Sequence, residues 1–211
     1  VLWQGSADRL RGYVRVENEA VVRDTANRPL IMIAPHFAGL VAGGIRFTLI
    51  VRGVSIYQPQ SHPTWDAFLL KGRQRFNEPV LVAKSDKNDL RPVIRALRDG
   101  LPFYYLPDMD HGPVNSVFVP FFGVPAATVP MVSRLARLTG AKVVMAVTEM
   151  TAEGYVLHLE EPWGDFPTDS VEADTERMNR AIERWVLKMP DQYLWTHRRF
   201  KTRPPGAPSV Y

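Results

Sequence analysis

Apolar residues in this chain follow two kinds of pattern along the sequence. Short apolar runs bounded by Gly, Pro or Asn are typical of strands, and they lie at residues 14–22, 30–34, 54–57, 80–83, 101–106, 117–122, 142–148 and 155–159. Longer segments combine small residues or helical spacing of apolar residues, and they lie at residues 37–51, 64–76, 90–98, 130–139 and 168–187. This alternation predicts an α/β fold with a mixed, mainly parallel central sheet flanked by helices.

The composition sets the size and the class of the protein. The chain has 211 residues, of which 45% are hydrophobic and 23% are charged, and its formal net charge is +4. These values predict a single globular domain over residues 1–211 and exclude disorder, collagen-like repeats and coiled coils. Because the chain has no cysteine, disulfides, thiolate nucleophiles and Cys-ligated zinc are excluded too.

The longest uncharged stretch, residues 113–133, is long enough to cross a bilayer but contains four prolines. Prolines at that density break a spanning helix. The stretch suits either a lipid-handling surface or buried strands, and burial is favoured because most apolar runs of globular proteins are buried.

His36 is the best placed of the five histidines for catalysis. It follows the apolar run 30–34, at the edge where an α/β sheet presents functional groups. Its position fits a general base and equally fits a residue that simply ends the strand. The other four histidines are expected in loops or on the surface.

Two further pairs of charged residues are candidates. Arg73 and Arg75 end the helix predicted at residues 64–76, where they either complement the helix dipole or clamp a phosphate. Asp108 and Asp110 follow the apolar run 101–106 and either shape a turn or hold a metal or a charge partner.

The densest basic run of the chain, residues 197–203, has aromatic residues next to its charges. Nucleic acid could bind such a run, but no nucleic-acid motif occurs elsewhere in the chain. An anionic membrane surface or an acidic carrier is the better partner for a basic edge beside apolar segments.

Five short blocks, in this order, span nearly the whole chain. They are APHFAGL (34–40), KGRQRF (71–76), LPDMDHG (106–112), SVFVPFFG (116–123) and QYLWTHRRFK (192–201). Together they resemble the bacterial late acyltransferases of lipid A biosynthesis, of the glycerolipid acyltransferase type. The resemblance implies an enzyme at the cytoplasmic face of the bacterial inner membrane that moves an acyl chain from acyl carrier protein to a hydroxyl of a lipid A precursor. It also implies a membrane helix upstream of Val1.

The signature of that family is a His, four residues, and then Asp or Glu. By this resemblance His36 is the catalytic base, and the acid that orients its ring falls on position 41, where this chain has Val41. Valine cannot accept the ring N–H, so the dyad is expected to be broken. A replacement acid would have to come through space, from Asp66, Asp108 or Asp110.

A chain with intact blocks and a broken dyad has two explanations. An inactivating substitution at position 41 is favoured, and the alternative is a homologue that has given up or rerouted the chemistry. We therefore expect the acyltransferase to be inactivated or impaired.

The resemblance also implies roles for the remaining candidates. Arg73 and Arg75 would bind the phosphorylated glucosamine acceptor, and the loop with Asp108 and Asp110 would border the same cleft. The acyl groove would be lined by part of residues 113–133, with candidates Phe118, Phe121 and Phe122. Neither a cofactor nor a metal is expected, because the acyl thioester is already activated; the donor would be acyl carrier protein or coenzyme A.

Two other functions fit the same blocks. One is acyl transfer to another lipid acceptor, such as a lysophospholipid or an ornithine lipid. The other is a non-catalytic lipid-binding paralogue, which would retain lipid binding without turnover.

Overall fold

The computed structural model describes residues 2–84 and 89–211, and a seven-stranded sheet forms its centre. The strands are β1 (Val14–Glu17), β2 (Leu30–Ile33), β3 (Val54–Tyr57), β4 (Val80–Ala83), β5 (Phe103–Tyr105), β6 (Val117–Phe121), β7 (Val124–Thr128), β8 (Lys142–Thr151) and β9 (Gly154–Leu159). The helices are α1 (Ala7–Tyr13), α2 (Ala20–Arg23), α3 (Leu40–Thr48), α4 (Pro63–Arg73), α5 (Arg91–Arg98), α6 (Met131–Thr139) and α7 (Val171–Lys188), with 3-10 turns at Thr25–Asn27 and Trp195–His197.

The central sheet has the order β1-β9-β8-β2-β5-β3-β4. All its neighbouring strands pair in parallel except β8 and β9, which pair antiparallel. Strand β2 lies in the middle and is buried along its whole length, which is why its sequence is apolar without alternation. Apolar clusters cover both faces of the sheet. The predicted α/β fold class is confirmed.

One segment differs from its predicted form. Residues 14–22 divide into β1 and the short helix α2, because Asn18 takes a left-handed conformation with φ of 60° and ends the strand. Residues 113–133 contribute an antiparallel hairpin, β6–β7, outside the main sheet. Its two turn residues, Phe122 and Gly123, both have positive φ, as tight hairpins require. Within residues 2–84 and 89–211, no helix combines the length and the apolarity that crossing a bilayer demands.

Helix α3 lies unusually close to strand β8. A Cβ built on Gly43 would lie 1.9 Å from Oγ1 of Thr148, and one built on Gly39 would lie 2.7 Å from the carbonyl oxygen of Thr148. Only glycine permits this approach. The close packing fixes the start of α3, and so the loop between β2 and α3 that carries His36.

Candidate functional site

The site lies where the central strands β2 and β5 end. Because β2 and β5 are parallel neighbours, the loops that follow them meet at the same edge of the sheet. His36 lies in the loop after β2, and Asp108 lies in the loop after β5. Residues separated by 72 positions in sequence are thereby brought into contact.

His36 and Asp108 make two hydrogen bonds. The Nδ1 atom of the His36 ring lies 2.7 Å from Oδ1 of Asp108, and the backbone N–H of His36 donates to Oδ2 at 2.8 Å. Both residues are buried, Asp108 almost completely. Burial alone would raise the pKa of Asp108, but the hydrogen bonds and the charge of His36 outweigh it and hold the pKa below its ordinary value. Asp108 therefore stays ionised and leaves Nε2 as the ring nitrogen that can accept a proton.

Of the three acids considered as partners for His36, Asp108 is the one in contact with its ring. Asp66 instead accepts the backbone N–H of Gln60 at 2.8 Å, near the start of α4. Val41 is 43% exposed in the first turn of α3 and lines a cavity. The expectation that His36 lacks a carboxylate partner therefore does not hold, since the ring has one through space.

Asp110 has a different task from Asp108. Its carboxylate accepts the backbone N–H of Thr202 at 2.6 Å, the Thr202 hydroxyl at 2.8 Å and the backbone N–H of Gly112 at 2.9 Å. Burial opposes ionisation of Asp110, but these bonds and the nearby Lys201 lower its pKa below the ordinary value. Asp110 thus ties the C-terminal segment to the loop that carries Asp108.

The same segment is tied to the His36 loop at its other end. The backbone N–H of Leu194 donates to the carbonyl of His36 at 2.9 Å, and the N–H of Ala38 donates to the carbonyl of Gln192 at 2.8 Å. Phe37 and Tyr193 form an isolated antiparallel bridge, and their rings pack edge to face. We call residues 192–202 the clamp segment, because it is bonded to both loops of the site.

Two of the four Lys and Arg residues at positions 197–203 make structural contacts, so the run is not simply a free charged edge. Arg199 is buried and donates to the carbonyl of Ala127 at 2.7 Å and to the hydroxyl of Thr128 at 2.5 Å. Arg203 donates to backbone carbonyls, whereas Arg198 and Lys201 are exposed. The run therefore anchors the clamp segment on hairpin β6–β7.

His197 was expected in a loop or on the surface, and it lies in the clamp segment directly against His36. The two imidazole rings are 4.5 Å apart between centroids and nearly perpendicular. Sequence spacing gives no hint of this contact, since 161 positions separate the residues; only the block QYLWTHRRFK marks the segment as part of the site.

An apolar cavity of about 140 Å³ lies at the start of α3, where the His36 loop ends. Its walls come from α3, β3, β5 and the end of α4, and they include Val41, Gly44, Tyr104 and Arg73. The guanidinium of Arg73 lies 5.7 Å from the centre of the Tyr57 ring, and burial lowers the pKa of Arg73. No hydrogen bond joins Arg73 to another residue in the part of the chain that the structure describes, so its donors are available.

The guanidinium of Arg75, unlike that of Arg73, is engaged in hydrogen bonds. Its guanidinium donates to the carbonyls of Leu2 at 2.5 Å, Gly5 at 2.8 Å and Gly72 at 3.3 Å. These bonds hold the N-terminal segment against α4. The structure brings Arg73 to the cavity but commits Arg75 to this structural contact.

The three phenylalanines predicted for the acyl groove lie on the hairpin. Phe121 is fully buried and packs against Tyr193 and Phe200, so it supports the clamp segment. Phe122 is partly exposed beside Trp195, and Phe118 is half-buried. None of the three lines the apolar cavity, so their contact with an acyl chain stays a prediction.

The chain matches known proteins along nearly its whole length. The family described as bacterial lipid A biosynthesis acyltransferase matches residues 1–202. The chain is 36% identical over 214 residues to the lipid A biosynthesis lauroyltransferase of Escherichia coli, covering 99% of this chain and 69% of that protein. It is 35% identical over 188 residues to the palmitoleoyltransferase of the same bacterium, covering 88% of this chain and 60% of that protein.

The fold also resembles a solved structure. The 1-acyl-sn-glycerophosphate acyltransferase PlsC from Thermotoga maritima matches 87% of this chain and 75% of that chain, with a TM-score of 0.52 and 17% identity. At that identity the likeness concerns the fold, and it agrees with the α/β architecture of a mixed, mainly parallel sheet flanked by helices.

Proposed function

The chain belongs to the bacterial lipid A biosynthesis acyltransferase family, and we propose that it moves a fatty acyl chain from acyl carrier protein to a hydroxyl of a lipid A precursor. The observation that carries the proposal is the buried pair of His36 and Asp108, whose loops lead into the wall of an apolar cavity at Leu40 and Leu106. A general base next to a space for hydrocarbon is what acyl transfer to a hydroxyl needs. No metal and no cofactor enter the proposed reaction.

The proposed step begins at Nε2 of His36. Nε2 takes the proton of the acceptor hydroxyl as the oxygen attacks the thioester carbon, and the carbonyl becomes an oxyanion. When the oxyanion collapses, the carbon–sulfur bond breaks and the thiolate takes the proton from His36. Asp108 holds the ring in the required tautomer and stabilises the imidazolium that forms in between.

Asp108 takes over the orientation of the ring, and we propose that Val41 impairs this enzyme without abolishing its activity. An acid at position 41 would stand in the first turn of α3 and share the cavity wall with Arg73. Its charge would favour the imidazolium on His36 from a greater distance than Asp108 does. Val41 has no charge and therefore makes no such contribution.

Arg73 is the proposed contact for the phosphorylated acceptor. It is half-buried, lies at the cavity and has donors that no described residue pairs, and a planar guanidinium matches phosphate oxygens in pairs. Its Asp66 neighbour favours the charged form, which opposes the effect of burial on the pKa. Arg73 would thus bind the acceptor's phosphate beside the acyl chain.

The proposed place of the reaction is the cytoplasmic face of the bacterial inner membrane, with the anionic membrane surface as a partner. Helix α4 supports this, because Trp65 is 52% exposed and Phe68 is 37% exposed next to the exposed Lys71. Aromatic rings beside cations are suited to the headgroup region of an anionic bilayer. In a vesicle flotation assay, Trp65→Ser should weaken binding to anionic vesicles, while Leu187→Ser, an exposed apolar residue on α7, should not.

The test is acyl transfer from acyl carrier protein to a lipid A precursor in detergent. We expect turnover by the wild-type chain and its loss in His36→Gln, which retains polarity but cannot act as a base. Turnover that His36→Gln retains would contradict the proposal. A control variant, His62→Gln, changes a histidine just before α4 and should behave as wild type.

Two other outcomes would favour the alternatives. Turnover with a lysophospholipid or an ornithine lipid, and none with a lipid A precursor, would favour another acceptor. Binding of the lipid without turnover would favour a lipid-binding paralogue. Replacing acyl carrier protein by coenzyme A in the same assay identifies the donor.

A further inference from the structure

His197 stands out among the residues that surround the dyad, because the proposed reaction does not use it. It ends the 3-10 turn Trp195–His197, and its ring packs almost perpendicular to the ring of His36. With their centroids 4.5 Å apart, the two rings are in direct contact, so His197 borders the space around the His36 ring.

The His197 ring has no hydrogen-bond partner in the part of the chain that the structure describes. Nδ1 is buried and unpaired, which is rare for a polar atom and costs about 1–3 kcal/mol. Nε2 is likewise unpaired among the described residues, but it is not buried. A ring with one inaccessible nitrogen and one open nitrogen can offer its open nitrogen to a bound molecule.

The position of His197 is built into the fold. Immediately after it, Arg198 takes a left-handed conformation with φ of 47°, which costs about 1–2 kcal/mol for a residue other than glycine. The next residue, Arg199, is buried and bonded to hairpin β6–β7, and Leu194 is bonded to the carbonyl of His36. The clamp segment therefore holds His197 at a fixed place over His36.

We propose that His197 is a catalytic residue that donates a hydrogen bond from Nε2 to the carbonyl oxygen of the acyl thioester. This inference rests on the proposed function. As the acceptor oxygen attacks the carbon, the π pair of the carbonyl moves to its oxygen, and the N–H of His197 stabilises that oxyanion. The pair returns when the carbon–sulfur bond breaks, so His197 neither gains nor loses a proton.

The charge state of His197 suits this task. Burial and then the charge of His36 lower the pKa of His197, so the ring is neutral at physiological pH and has one N–H to donate. A neutral imidazole is known to serve as an electrophile in other enzymes. A cation at this position would instead oppose the protonation of His36, which the first half of the reaction requires.

Two substitutions separate hydrogen bonding from ring packing. His197→Phe retains a ring against His36 but removes both nitrogens, whereas His197→Gln places an amide N–H near the position of Nε2. We expect the Phe variant to lose about 100-fold to 1,000-fold in kcat with little change in the KM for the donor, as losses of oxyanion donors do. The Gln variant should recover much of that loss, and thermal unfolding should show that both variants are folded.

Each other outcome contradicts the inference. Wild-type kcat in His197→Phe would mean that only the ring matters. A raised KM with unchanged kcat would mean ground-state binding. Equal losses in both variants, with lowered melting temperatures, would mean a structural role. A wild-type chain without turnover would overturn the proposed function and this inference with it, whereas the first three outcomes would leave the proposed function intact.

Discussion

Two regions next to the His36 loop, a bonded side and a cavity side, are built in opposite ways. On the bonded side, formed by Asp108, Asp110 and the clamp segment, buried carboxylates accept hydrogen bonds from distant parts of the chain. On the cavity side, formed by Val41, Gly44 and Arg73, the walls are mostly apolar and Val41 is exposed. The difference indicates that this fold fixes the geometry of the base while leaving the space for the substrate adaptable.

The physical basis of the difference is the free-energy cost of burying a polar group without a hydrogen-bond partner. A buried carboxylate that loses a partner is left unsatisfied, so each bond on the bonded side depends on the others. An apolar wall has no such requirement, and a change of volume there is the main cost. We therefore expect changes on the bonded side to be severe and changes on the cavity side to be graded.

The largest effect is expected from Asp108→Asn. An amide can hold the ring only in the wrong tautomer, and the matching change in serine proteases lowers kcat by about 10⁴. Asp99→Asn is the control, since Asp99 is an exposed carboxylate at the end of α5. Single-turnover acyl transfer measures both, and near-wild-type turnover in Asp108→Asn would mean that Asp108 is not the partner of His36 in the reaction.

The lowered pKa of Asp108 also predicts how the free energy of unfolding depends on pH. Because the folded-state pKa is lowered, the contribution of Asp108 is present above the unfolded value of about 3.9 and is lost as pH falls through the folded value. The difference in unfolding free energy between wild type and Asp108→Asn should therefore shrink in acid. Urea unfolding at pH 7 and at a series of lower pH values measures it, and a difference that does not change with pH would argue against an ionised Asp108.

Two adjacent glycines of α3 provide the next contrast. A methyl group on Gly43 would meet Thr148 at 1.9 Å, whereas one on Gly44 would meet the Tyr104 ring at 3.6 Å, an ordinary contact. Gly43→Ala should lower the unfolding free energy by about 1–3 kcal/mol. Gly44→Ala should raise it by about 0.5–1 kcal/mol, because alanine favours helix.

Thermal or urea unfolding compares these two variants. Adding Thr148→Ala to Gly43→Ala removes the hydroxyl that clashes and should restore part of the stability, which a double-mutant cycle detects. Equal stability of the two alanine variants would mean that α3 can move away from β8 without cost.

Local patterns were sufficient to predict the class of the fold. The apolar run at residues 30–34 became β2, and the helical spacing at residues 168–187 became α7, with bounds that shifted by at most three residues. The segment 14–22 forms a strand and a helix because the left-handed backbone of Asn18 ends the strand. A pattern of hydrophobic residues carries no information about that backbone conformation. Hydrophobic patterns predict an element correctly where burial alone determines whether the segment forms a strand or a helix.

The site was predictable only in part. His36 could be located because it directly follows a buried strand, but its partner Asp108 depends on which strands become neighbours. The contact of His197 with His36 depends in addition on the path of the clamp segment. Both contacts are long-range, and the spacing that suggested an acid at position 41 is local.

A smaller effect is expected at position 41 itself. Val41→Asp adds a charge that favours the imidazolium on His36, but Arg73 neutralises part of it, so we expect kcat to rise by about tenfold, equivalent to about 1.4 kcal/mol. Val41→Asn is the control of similar size without charge. Activity that appears only in Val41→Asp would mean that Asp108 alone does not sustain the reaction, and the acid at position 41 would then be required.

The smallest effect is expected from filling the cavity. Gly44→Leu projects a side chain into the cavity from a position where a Cβ is tolerated. If the new side chain displaces one methylene group of a long acyl chain from the cavity, about 0.8 kcal/mol of favourable burial free energy is lost. This loss lowers kcat/KM about fourfold for long donors and leaves short donors unchanged.

Gly12→Leu in α1 is the control, since a Cβ there meets nothing within 4 Å and Gly12 does not line the cavity. The ratio of kcat/KM for a long and a short acyl donor measures the effect. An unchanged ratio in a folded Gly44→Leu variant would place the acyl chain elsewhere, and the exposed Phe122 on hairpin β6–β7 would then be the first residue to test.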